Sequence, residues 1–281
     1  MSPDFSVQRV RQQRTFAAAH RQPPTLEETI VPNHFSTIGF DIKNQQEFIA
    51  VARATAPDAQ AVFVQHGRYL RWTGRDGEEL WLQVGENGHF LGMHPHFSGS
   101  AVMRVRLTSR VECGGTALDG TFMAWALPDV SHDEEGAYPF VFDSPDSDTK
   151  GDLQFPSMAE IQLAAFAHQI SFHESPEAYE RSQTDAKVKF ASRSFVPAGL
   201  FTLEDSQPPS ALALLTGHVI EAETRTNEKT GARFYWALVD SLGGLHDVVI
   251  DSSLLAAAPT PGGVISGEFW LSGRILSSAR S

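Results

Sequence analysis

The sequence predicts an α+β protein rich in strand, built from two related units whose mainly antiparallel sheets carry one or two helices each. Three observations predict it. Trp125-Ala126-Leu127-Pro128-Asp129 returns as Trp236-Ala237-Leu238-Val239-Asp240, and the flanks return with it. Leu107 to Val111 answers Leu215 to Val219 upstream, and Phe140 to Ser144 answers Val248 to Ser252 downstream, the pattern of an internal duplication. Secondly, short alternating apolar runs are separated by Gly-containing turns, the mark of antiparallel strands. Thirdly, two helix starts stand in corresponding places, at Asn44 and at Ser175-Pro176.

In chain order, residues 1–31 are expected to be a flexible extension: Arg9, Arg11, Arg14 and Arg21 are followed by the helix-breaking pair Pro23-Pro24. The first unit spans 32–152. Phe35 to Ile42 reads as a strand. Asn44 with Glu47 makes a capping-box-like start, and Phe48, Ile49, Val51 and Ala52 give the helix its apolar stripe. Pro57-Asp58 ends it. Strands follow at 61–64, 69–72, 79–84, 89–93, 102–111 and 122–127, with hairpin turns at Asp76-Gly77 and Asn87-Gly88. In the third of these, Leu80, Leu82 and Val84 share one face and Glu79, Trp81 and Gln83 the other. Residues 129–152 are an acidic, turn-rich loop around a short strand at Phe140 to Phe142.

The second unit, 153–281, opens at Ile161 to Phe172, where alanines favour a helix and position favours a strand. A helix begins at Ser175-Pro176, and a strand is expected from Val188 to Phe195. Leu214 to Thr224 and Arg233 to Val239 form a hairpin, followed by strands at 246–250 and 264–275. The stretch from His218 to Ile275 is equally consistent with an OB-like barrel. Each unit must cover one apolar sheet face with the other, and Trp125 and Trp236 are expected at equivalent core positions.

The net charge of −12 and the pI near 5.3 oppose a broad nucleic-acid surface and an anionic membrane surface. One cysteine, Cys113, precludes an internal disulfide, and no apolar run reaches transmembrane length, so a cytoplasmic protein is expected. Fingerprints of α/β hydrolases, P-loop proteins and Rossmann dehydrogenases are missing from the sequence, so no cofactor-binding residue is assigned.

The strand–helix–strands order, given twice, resembles the vicinal oxygen chelate superfamily of glyoxalases, extradiol dioxygenases and bleomycin-resistance proteins. The residues that carry the resemblance are His34, the helix led by Asn44, and the strand around Glu79. It implies a divalent metal held by a His before the first strand and a carboxylate on a later one, here His34 and Glu79. The second unit departs from that pattern, having only His168 and His173 near its start.

Apart from the resemblance, His94-Pro95-His96 sets two imidazoles at i and i+2, a spacing metal sites use on a strand, although Pro95 speaks for a packed loop. His34, Glu79, His94 and His96 are therefore the candidate ligands for a divalent transition metal such as Zn²⁺ or Fe²⁺. Asp146 to Asp152 begins like a calcium loop but has Lys150 at the fifth position and Ser157 at the twelfth. Cys113 has no neighbouring His to activate it. Arg71, Trp72, Trp81 and Gln83 suggest either a wet binding face or one covered by the Asn44 helix. The function expected from all this is a non-catalytic binding or assembly protein that meets a protein partner or a small molecule. A metal-dependent lyase or dioxygenase is the alternative.

Overall fold

The computed structural model describes residues 33–112, 114–128, 136–200 and 208–280. Within these, Asn33 opens the body by folding back on itself. Its side-chain oxygen accepts from the amides of Phe35 and Ser36, and a 3-10 turn follows over Ser36–Ile38. The expected strand over 35–42 is thus a turn. Gly39 closes it at φ 84, where a Cβ would lie 2.6 Å from Asn227 Cβ. Asn227 in turn donates to Ile38 O, so this turn is clasped to a distant hairpin.

Helix α1 (Gln45–Thr55) begins as the sequence predicts. Asn44 adopts an extended backbone and accepts from Glu47 N, while Lys43 N donates to Glu47 Oε2. Four strands come next: β1 (Gln60–Val64), β2 (Gly67–Thr73), β3 (Glu78–Gly85) and β4 (Phe90–Phe97). They pair antiparallel in chain order as one four-stranded sheet. β4 runs straight through Pro95, against the expectation of a packed loop. It is an edge strand, and an edge tolerates a residue with no N–H.

Both faces of this sheet are covered. Leu80, Leu82, Val84 and Trp72 lie under α1 and the opening turn, where Phe40 meets Trp72 edge-on and Phe48 leans on Phe90. Arg71, Trp81 and Gln83 face the opposite way, toward the second sheet. Trp72 is therefore not on their face, and the cover over them is not the Asn44 helix.

The second sheet holds β5 (Val102–Val111), β6 (Thr121–Ala126), β7 (Tyr138–Asp143), β8 (Ser157–His173), β9 (Ser194–Val196), β10 (Leu212–Thr226), β11 (Arg233–Ser241), β12 (Gly244–Asp251) and β13 (Val264–Arg280). A short helix α2 (Pro176–Ser182) follows β8, capped by the Ser175 side chain accepting from Ala178 N. The ambiguous stretch after Ile161 is strand: its alanines at 164, 165 and 167 are fully buried between neighbouring strands, where larger side chains would not fit. The strand expected over 188–195 shrinks to β9.

The pairings close two rings. β5, β6 and β7 form an antiparallel meander, β5 pairs antiparallel with β8, and β7 touches β13 in parallel at Asp143 and Ser272. β10, β11 and β12 form a second meander, β10 pairs antiparallel with β13, and β12 runs parallel to β8 over Asp247 to Val249. β8 and β13 pair with each other along almost their whole length and belong to both rings. Order and sense of pairing are the same in each. One continuous core joins the helix side of the small sheet to both ring interiors. The molecule is thus a strand-rich α+β fold with two sheets and two α-helices among the described residues. No helix among them is long and apolar enough to cross a membrane.

Candidate functional site

The sequence-predicted ligands sit where the small sheet meets the shared strands. In the β3–β4 register Glu79 lies opposite His96 and Trp81 opposite His94, so both histidines and the carboxylate share one face. All three side chains are drawn into bonds with protein. Glu79 accepts from Arg71 through one oxygen and from Trp81 Nε1 at 2.8 Å through the other. Burial alone would raise its pKa; the nearby His96 and the Arg71 and Trp81 bonds outweigh that and lower it. His96 is fully buried, with Nδ1 2.8 Å from Ser272 Oγ and Nε2 2.8 Å from Gln162 Oε1. Burial lowers its pKa, so the ring is neutral at pH 7.

Gln162 extends the chain of bonds to Asp247, which also accepts from Trp236 Nε1 at 2.9 Å and from Ala101 N at 2.8 Å. Gly99 makes room for this carboxylate, since a Cβ there would lie 1.9 Å from Asp247 Oδ2. The path from β4 through β8 to β12 therefore links the two sheets on three side chains, His96, Gln162 and Asp247.

His94 follows a separate path. Its Nε2 is 2.8 Å from Asp119 Oδ1, and Asp119 also accepts from Gln83 Nε2 and Thr116 N. Burial opposes charge on His94, but the Asp119 bond and charge prevail and raise its pKa. Asp119 is held well below the usual carboxylate range, its burial outweighed by His94, Gln83 and Thr116. The pair is a charge-assisted bond that pins the β5–β6 loop to β3 and β4.

His34 stands apart from these. Its ring stacks on Trp270 at 4.0 Å and on His168 at 4.8 Å. Burial first, then the neighbouring His168 and His94, drive its pKa well below the ordinary value. Trp270 Nε1 donates to Asp143, whose pKa burial raises, and His168 lies 3.5 Å from Glu268.

The donor set does not fit a metal as arranged: both oxygens of Glu79 and both nitrogens of His96 are bonded to protein. Among the described residues no group of three or more His, Cys, Asp or Glu is placed to hold a metal ion. The calcium-like loop is likewise tied up internally. Asp146 accepts from Ser144 Oγ and Arg274, and Asp148 accepts from His66 N. Cys113 and the extension over 1–31 lie outside the described residues.

Sequence reading missed Asp119, Gln162, Asp247, Trp270 and Arg274. Each acts on a partner far along the chain, and no local spacing reveals that. Arg274 alone spans from Asp146 to the face of Trp81, 4.9 Å from the ring centre.

The open surface features lie elsewhere. A groove of about 480 Å³ crosses the outside of the second ring, lined among others by Ile170, Phe190, Val196, Leu214, Thr216 and Glu268. Phe190 and Leu214 are exposed in it. A smaller hollow of about 330 Å³ lies by Met103, Leu127 and Gly243. Compared with family models, curated proteins and solved structures, the chain matches none of them.

Proposed function

We propose that this is a non-catalytic binding or assembly protein whose contact surface is the groove across β9, β10 and β13. The observation that carries the reading is the division of labour between interior and surface. Histidines and carboxylates of the kind that do chemistry are taken up by hydrogen bonds to other protein groups at the seam between the sheets. Apolar Phe190 and Leu214, by contrast, are left open beside polar Thr216 and Glu268. A concave lining that sets Ile170, Phe190, Val196 and Leu214 among about as much polar surface suits an amphipathic small ligand or a side chain of a partner protein. Nile red provides the test. Its fluorescence should rise on binding the wild type and fall to background in Leu214→Lys; equal fluorescence in both removes the groove from the proposal.

We further read the two rings as copies of one OB-like unit. Their common strand order and the repeated Trp-Ala-Leu segments on β6 and β11 support this.

A metal-dependent lyase or dioxygenase, as the vicinal oxygen chelate resemblance implies, is the second reading. One observation favours it: Glu79 and His96 are cross-strand partners with His94 on the same face. It requires Glu79 to release Arg71 and Trp81. Elemental analysis after reconstitution with Zn²⁺ or Fe²⁺ decides it, and less than about a tenth of an equivalent at pH 7 ends it.

A further inference from the structure

The two edges of the four-stranded sheet are treated oppositely. β4 is packed against the shared strands, with Met93, Pro95, His96 and Phe97 buried. β1 pairs with β2 on one side and, among the described residues, with nothing on the other. Alternate residues of such an edge direct their N–H and C=O groups outward.

Proteins normally blunt an open edge with Lys, Pro or a bulge. β1 has none of these. Ala59 to Gln65 reads Ala-Gln-Ala-Val-Phe-Val-Gln, without a charge, and its pairing with β2 is unbroken. Phe63 is 77% exposed. The nearest acid on the N-terminal side, Asp58, is ion-paired to Lys229.

We infer that the outer edge of β1 is the contact through which two copies of this chain associate, joining their small sheets antiparallel across a twofold axis at Val62. The pattern of the strand is self-complementary about that residue. Val62 meets Val62 of the second copy, and Phe63 lies across from the small Ala61 on the same face, a large-against-small pair repeated by symmetry. Charge selects this patch. Each chain carries a net −12, so two copies repel over most of their surface, and a stretch with no charge is where they can meet. This inference is independent of the groove.

A pair of five-residue strands buries well under the roughly 800 Å² per partner of a standard stable interface, so the association is weak and reversible. Sedimentation equilibrium from about 10 µM to about 1 mM reads it directly. The wild type should move from 30.8 kDa toward twice that mass as concentration rises. Phe63→Lys and, separately, Ala61→Lys should stay monomeric throughout. Both positions are exposed, so neither change touches the core, and unaltered circular dichroism checks the fold. Hydrogen exchange over residues 60–64 should slow with concentration in the wild type alone. A wild type that remains monomeric at the highest concentration overturns the inference. So does dimerisation that both variants retain, because the interface would then lie elsewhere.

Discussion

The two rings share a strand order and differ in what lies against their outer walls. In each, a tryptophan on the second strand of the meander faces outward and the following alanine faces in: Ala126 and Ala237 are both fully buried. Trp236 is buried beneath Arg225, whose guanidinium also lies over Phe97 of the small sheet. Arg225 stacks on the indole at 4.2 Å, and Asp247 accepts the indole N–H. Trp125 occupies the matching place opposite Arg106 and Pro139 and is only half-buried. The expectation that both indoles are core residues thus holds for Trp236 alone. Equal strand patterns give equal interiors, whereas an outward side chain is buried only where another layer docks on it.

That difference can be broken by experiment. Trp236→Ala should cost about 3–5 kcal/mol of unfolding free energy and Trp125→Ala about 1 kcal/mol, read from urea midpoints. Similar losses at the two sites would mean that the outer walls are not distinguished as described. Asp247→Ala should cost about 3 kcal/mol, since it strands Trp236 Nε1, Gln162 Nε2 and the Ala101 amide. Asp247→Asn, which keeps an acceptor, should recover part of the loss.

Acid should weaken the second ring through a buried histidine. His246 is fully buried on β12, donates through Nδ1 to Gly244 O, and stacks near Phe195; burial lowers its pKa to about 4. On the first ring the place by Phe195 is taken by Tyr138, which stacks on that ring at 4.6 Å and whose pKa burial raises. A histidine depressed from 6.5 to about 4 leaves stability intact above pH 6.5. It withdraws about 3 kcal/mol as pH falls through that window, because the unfolded chain takes up the proton first. His94, whose pKa is raised, works in the opposite sense: its contribution is present below pH 6.5 and is lost as pH rises. The loss between pH 7 and 4, measured as the shift of the urea midpoint, should be smaller in His246→Gln than in the wild type. Equal losses would remove His246 as the cause. The smallest effects should be the most alike: Ala126→Leu and Ala237→Leu both overfill a ring and should cost about 1–3 kcal/mol each. A large disparity would show that the two interiors are packed differently.

Local chemistry was legible in the sequence. Asn44 with Glu47 and Ser175 with Pro176 mark helix starts within one turn of chain, and Asp76-Gly77 and Asn87-Gly88 mark turns between strands that pair directly. The repeated Trp-Ala pairs fall on β6 and β11, the middle strands of the two meanders. What failed were places decided by distant contacts. Phe35 to Ile42 has a strand-like pattern, yet Asn33 and Asn227 hold it as a turn. Pro95 discouraged a strand that its edge position permits. Of the four candidate ligands, Glu79, His94 and His96 were placed on one face by register alone, but their partners Arg71, Asp119 and Gln162 come from three different elements.

Because β8 and β13 are walls common to both rings, neither ring is a separable module. Deleting β13 would unzip the two together, and a fragment ending before Val264 would leave two open-sided meanders rather than one finished barrel. The chain must also bring residues more than a hundred positions apart side by side before either barrel is complete, as with Ile275 beside Ile161. Such long-range pairing means a high contact order, for which slow folding is expected.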